Sequence, residues 1–356
     1  MKKVSSRSVI LLLIVASVAA IVATGAGANA GKKAADVQVC VLLPDTKSSV
    51  RWVQFDAPAM KAAFAKAGVT ASINNALNDP LKQKAQAQAC IAAGATVVIE
   101  TALDNGSAAS IEALFTSKGG SAIDYDRQVT GGSASIYVTF DGKAVGAAQA
   151  KGVLAGMQAK GTSGGTVAQL WGGQTDQNAF WFKSGNDAVF NPLFKSGKIK
   201  KGPAQFVPDW DANNAATIFN QMLVKTSNNI QGVLAANDNI AGAVVADLKA
   251  KHLKPLPLSG QDASVQGVQN IISGWQSGTV YKYVPDEANA AAAAAVALIK
   301  GTTPKTTTTR KNGAKSEPTL ALPVVWITKA NYKRLFTDKF LKRSDVCVGT
   351  YKQFCK

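Results

Sequence analysis

The chain has 356 residues, 47% of them hydrophobic, and a formal net charge of +17. That is enough apolar material for two compact domains, and a single histidine argues against a zinc centre. The lysines are spread along the chain, so the basic excess does not mark a nucleic-acid partner; the densest cluster, residues 329–343, alternates with apolar residues and reads as a solvated helix face.

Residues 1–30 have the layout of a secretory signal peptide. Lys2, Lys3 and Arg7 form a positive start, residues 9–22 are apolar, and Ala28-Asn29-Ala30 supplies a cleavage site. The apolar stretch is short for a spanning helix of ~20 residues, which disfavours an uncleaved anchor. Cleavage leaves 17 − 3 = +14 and a soluble protein exported to the periplasm or the outside of the cell envelope. Export to an oxidising compartment favours disulfides. Cys347 and Cys355 lie close together near the C-terminus and suit a small staple, whereas Cys40 and Cys90 are either a pair or two buried thiols.

Strand and helix patterns then alternate. "VQVCVLLP" (37–44) reads as a strand, "APAMKAAFAKAG" (57–68) as a helix and "VTASINNA" (69–76) as a strand. Asp79-Pro80 opens a helix that closes on Gly94, "ATVVIETAL" (95–103) is the next strand, residues 106–119 are helical, and "SAIDYD" follows. A second set begins with strand 165–173 and runs through a helix, the extended 204–210, helix 213–226, strand 230–238, helix 239–252, strand 256–264 and strand 279–284. Residues 301–322 are low in complexity and read as a surface loop after the Ala-rich helix 287–300. Alternation of this kind predicts βαβ units and parallel sheets buried on both faces, and two sets of similar size predict two lobes.

Ligands of open parallel sheets bind beyond the carboxyl ends of the strands. Those ends carry Arg51 and Trp52, then Asp126 and Arg127, and in the second set Asn178, Trp210, Asn237 and Asp262. Asp126 stands directly against Arg127, which reads as a donor–acceptor pair satisfied partly by itself. Such polar side chains suit a neutral polyol, whose hydroxyls donate and accept at once and whose C–H faces pack on indole rings. No Ser-His-Asp set, H-E-x-x-H motif or P-loop is present, and no cofactor or catalytic residue is expected. Arg127 would keep Asp126 ionised, which disfavours a glycosidase acid.

"LLPDTKSSVRW", "AIDYDR", "YVTFDGKAVGAAQAKG", "AANDNIAGAV", "SGQDAS" and "GTVYKYV" together resemble the sugar-binding proteins of bacterial ABC importers. The likeness is to the ribose-type (type I) group, and within it to the D-xylose-binding branch. It implies an α/β fold of two Rossmann-like lobes joined by three crossover strands, with residues 31–140 and 284–325 in the first lobe and 141–283 and 326–356 in the second. The crossovers would lie near residues 140–141, 282–283 and 325–327. It also implies that Arg51, Trp52, Asp126 and Arg127 line one side of the cleft, that Asn178, Trp210, Asn237 and Asp262 line the other, and that Lys282 sits at a crossover. The branch often has a lysine after the tryptophan, where this chain has Val53, and "DNN" where it has Asp176-Gln177-Asn178.

These features predict a monomeric receptor that closes on one monosaccharide, D-xylose or a similar aldose, and delivers it to a membrane permease. The rivals are a receptor for another pentose, a hexose or a signalling furanose, a secreted glycosidase, and a transcription regulator. The last would need a DNA-binding segment where the signal peptide stands.

Overall fold

The computed structural model describes residues 36–355; the expected signal peptide and its cleavage site lie outside them. The first lobe is built on a seven-stranded sheet in the order β10 (Thr308–Asn312), β11 (Lys315–Leu322), β5, β4, β3, β1 and β2. Strand β1 (Val39–Leu43) pairs in parallel with β2 (Ala71–Asn75) and β3 (Val97–Glu100), and β4 (Ser121–Tyr125) lies between β3 and β5 (Ile136–Phe140).

All five residues of β1 are buried because both faces are covered. Val39, Val41 and Leu43 face a core containing Met60, Phe64 and the alanines of the helix at 284–299, while Cys40 and Leu42 face Ala87, Cys90 and Ile111. Period-two alternation across two apolar layers produces the unbroken run read as a strand. Helix α1 (Ala57–Ala67) stops at Gly68, whose φ of +68° ends it in a left-handed turn. In α2 (Pro80–Ala92), the Asp79 carboxylate accepts from the N–H groups of Leu81 and Lys82. Helix α3 (Asn105–Thr116) is capped likewise by Asp104.

The second lobe centres on a three-stranded parallel sheet, with β6 (Thr166–Trp171) between β7 (Lys200–Phe206) and β8 (Gly232–Ala235). Around it stand α4 (Gly142–Ala159), α5 (Gln177–Lys195), α6 (Ala212–Lys225) and α7 (Asp238–Ala250). Helix α8 (Val265–Ile272) precedes β9 (Thr279–Tyr281), which pairs antiparallel with β12 (Val325–Ile327). The chain passes between the sheets after Phe140, again at Lys282–Tyr283 before α9 (Val284–Ile299), and a third time at residues 323–324, between the end of β11 and the start of β12.

Three local readings are corrected. Residues 301–322 are not a loop throughout: β10 (Thr308–Asn312) and β11 (Lys315–Leu322) form a hairpin that adds two strands to the first sheet. Gly313-Ala314, with Gly313 at φ +59°, makes the tight turn between Asn312 and its partner Lys315. Residues 256–264 make only single bridges, Leu258 to Val233 and Gln261 to Val280. Residues 329–343 form turns and the short helix α10 (Arg334–Thr337) rather than one continuous helix. Cys40 pairs with Cys90 and Cys347 with Cys355.

Candidate functional site

The loop after β1 is shaped by Asp45, whose carboxylate accepts from the Lys47 and Ser48 N–H groups at 2.7 and 2.6 Å and from the Ser48 hydroxyl at 2.6 Å. It leads into a wide helical turn, Trp52–Asp56. Arg51, 2% exposed, forks onto Asp56 (Nε–Oδ2 3.0 Å, Nη2–Oδ1 2.7 Å), donates to Asp126 at 2.6 Å and also touches Glu287 of α9. The Arg51 guanidinium carbon lies 4.4 Å from the centroid of the Trp52 ring and that of Arg127 5.5 Å away. The Trp52 indole N–H donates to the Ser48 hydroxyl at 3.1 Å.

Asp126 follows β4 with φ at +61°, a left-handed conformation that turns its side chain out of the sheet. Its carboxylate meets Arg51 and, at 3.1 Å, the ammonium of Lys282. Its carbonyl accepts from the Tyr137 hydroxyl at 2.8 Å and from the Asn178 amide at 2.7 Å. Burial by itself would raise the Asp126 carboxyl, but the charges of Arg51, Lys282 and Arg127 outweigh it and hold the group well below the ordinary carboxylate range.

From the second lobe, Asp176 caps α5 by accepting from the Asn178 N–H at 2.8 Å and forms an ion pair with Arg127 at 3.1 Å. Asn237 caps α7 through Ile240 N–H at 3.0 Å, and its amide donates to the Ser48 carbonyl at 3.0 Å. Asp262, also left-handed at φ +99°, accepts from the Ser49 hydroxyl at 2.8 Å and lies 3.9 Å from Lys282. Trp210 meets Phe182 edge-on at 6.1 Å, and its ring lies against Gly172, where an added Cβ would fall 2.1 Å from ring atoms. Only glycine lets that indole seat itself there.

All nine residues singled out in the sequence border one cavity of about 30 Å³: Arg51, Trp52, Asp126, Arg127, Asn178, Trp210, Asn237, Asp262 and Lys282. Ser48, Ser49, Asp176, Phe182 and Gln261 complete its wall. One expectation fails: Asp126 and Arg127 do not satisfy each other. Arg127 reaches Asp176, the Ala102 carbonyl at 3.1 Å and the Ser48 hydroxyl at 3.3 Å, while Asp126 is held by Arg51 and Lys282. Val53, where the resembling branch has a lysine, is 54% exposed and stays outside the wall.

Sequence reading missed Asp56 and Glu287, which hold Arg51 from behind. Asp56 follows Arg51 closely enough to have been suspected, whereas Glu287 comes from the far side of a crossover and left no local signal. Burial, and then the carboxylates of Asp126 and Asp56, push Glu287 up to about 8 against the opposing pull of Arg51. At neutral pH it is therefore largely a neutral acid, and Arg51, Arg127 and Lys282 are set against the carboxyl groups of Asp56, Asp126, Asp176 and Asp262. A wall of matched donors and acceptors with two indoles is built to hold a small polar molecule by hydrogen bonds. The lone His252 is exposed at the end of α7.

Residues 39–303 match the periplasmic binding protein domain family. The chain is a member of the periplasmic binding protein family. Over 320 residues it is 30% identical to the D-xylose-binding periplasmic protein of Escherichia coli K12, covering 89% of this chain and 95% of that one. It is 28% identical over 329 residues to a multiple sugar-binding periplasmic receptor of Rhizobium radiobacter, with 88% and 93% covered. Its fold matches a carbohydrate transporter solute-binding protein of Chloroflexus aurantiacus solved with D-glucose, at a TM-score of 0.79 and 29% identity over 87% of this chain and 98% of that one. The family consists of solute-binding proteins rather than enzymes, and its type I members share this two-lobed α/β architecture. Among the described residues of this periplasmic binding protein, no helix is long and apolar enough to cross a membrane.

Proposed function

We propose that this periplasmic binding protein captures a monosaccharide, D-xylose or a similar aldose, between its lobes and presents it to the permease of an ABC importer. The observation that carries this reading is the convergence of Arg51, Asp126 and Arg127 with Asn178, Asn237 and Asp262 around one cavity, between Trp52 and Trp210. Each sugar hydroxyl is both donor and acceptor, and this wall offers carboxylates, amides and guanidinium groups in alternation. The likeness to a relative named for D-xylose binding supports the pentose; the relative solved with D-glucose supports a hexose as the second reading.

In this reading, residues 36–140 with 284–322 act as one lobe and 141–283 with 325–355 as the other. The sugar touches both, so it stabilises the closed arrangement over the open one. Closure forms the surface that a permease recognises, and the sugar leaves unchanged. The receptor acts as a monomer, without a cofactor or nucleic acid, outside the cytoplasmic membrane. A thermal-shift panel of pentoses and hexoses tests this, because a ligand of the folded state alone raises the melting temperature. We expect D-xylose to give the largest shift. A larger shift from D-glucose selects the hexose reading, and no shift from any monosaccharide overturns both.

A further inference from the structure

Beyond the cavity wall, α7 presents a second amide at its N-terminus. The Asn239 side-chain N–H₂ donates to the main-chain carbonyls of Lys47 at 2.7 Å and Ser48 at 3.2 Å. Asn239 does not line the cavity. Its acceptors lie on the loop after β1, in the other lobe, and Asp45 stiffens that loop through three hydrogen bonds. Ser48 in the same loop receives the Trp52 indole N–H and a guanidinium N–H of Arg127. The Ser48 carbonyl accepts from both Asn237 and Asn239.

We infer that Asn239 is a closure latch: a positioning residue that binds main chain across the cleft only when the lobes are together, and so sets sugar affinity without touching sugar. This rests on the proposed function, in which closing accompanies binding. When the cleft opens, the Lys47 and Ser48 carbonyls return to water, so the amide's bonds stabilise only the closed state. The apparent affinity scales with the closed fraction of the free protein, so a term that favours the closed form raises that fraction and the affinity together. Because the acceptors are main-chain oxygens, the latch is independent of the side chain at position 47. Closing follows encounter, so the latch acts on the rate of escape.

The test uses the full mature protein with Asn239→Ala and Asn239→Asp, and D-xylose and D-glucose as probes. A fold-neutral loss of the latch raises the Kd about five- to tenfold, with the dissociation rate increased by that factor and the association rate unchanged. Asn239→Asp directs a carboxylate at two carbonyls and weakens binding further, yet an acid in the first turn of α7 favours the helix, so its loss of affinity is not misfolding. Small-angle scattering without ligand gives a larger radius of gyration for both variants than for wild type. A dissociation rate within twofold of wild type, a loss confined to association, or equal radii overturns the latch. If wild type binds neither sugar, the functional reading fails and the radii alone decide the latch.

Discussion

Arg127 pairs with Asp176 at 3.1 Å, across the cleft, rather than with Asp126 beside it in the chain. Asp126 is taken by Arg51 at 2.6 Å. Both pairs join residues distant in sequence, and truncating Arg127 leaves Asp176 buried without its ion-pair partner.

Arg127→Ala therefore strands Asp176, and Asp262→Ala strips the acceptor opposite Ser49 and Lys282. Truncating one partner of a buried charged pair costs about 2–5 kcal/mol in binding. Isothermal calorimetry should show at least about a thirtyfold loss of monosaccharide affinity in each variant, with far-UV circular dichroism unchanged. Affinity within tenfold of wild type in either one would remove that residue from the site.

Gly172→Ala places a Cβ 2.1 Å from the Trp210 ring. The ring must leave its seat against Phe182, and one aromatic face of the cavity goes with it. We expect weakened sugar binding with only a small change in melting temperature, and a crystal structure of the variant should show Trp210 in another rotamer. Unchanged affinity would mean that Trp210 contributes no stacking surface.

Burial pushes Glu287 up to about 8 and Asp238 up to about 7, from ordinary values of 4.5 and 3.8. Between the unfolded and folded values the native state holds protons that the unfolded chain has lost. Stability from these groups is full below about pH 4 and falls as pH rises through 7 and 8. Asp126, held low by its cations, has the opposite sign and costs stability only in strong acid. Scanning calorimetry should give a higher melting temperature at pH 5 than at pH 8, and Glu287→Gln should flatten the difference. A melting temperature that rises over that interval would contradict the assignment.

The Cys40–Cys90 bridge spans 50 residues and joins β1 to α2, whereas Cys347–Cys355 spans 8. Closing the longer loop restricts the unfolded chain more, by about 2–4 kcal/mol in total. Cys40→Ser with Cys90→Ser should lower the melting temperature by several degrees, and by more than Cys347→Ser with Cys355→Ser. The reverse order would place the larger contribution in the C-terminal staple.

Much of the architecture was written locally. Asp79-Pro80 and Gly94 bracket α2, and the run 37–44 announces a strand buried on both faces. The hairpin of β10 and β11 was hidden by its composition, a threonine and lysine tract, although Gly313 opens a two-residue turn and threonine favours strands. Residues 256–264 have a strand's composition but pair at only two points, since pairing depends on what lies alongside.

Side-chain chemistry and strand-end position, read with the family resemblance, were enough to gather nine cavity residues from the sequence, because parallel sheets bring successive strand ends to one edge. Which charge meets which was decided only by folding. Arg127 chose Asp176, Arg51 drew in Asp56 and Glu287, and Asn239 reached main chain on the opposite lobe. Local order determines helices, strands and the edge where polar groups emerge. Ion pairing in a buried site depends on distance and direction in space, and these exist only once the crossovers have brought the two lobes together.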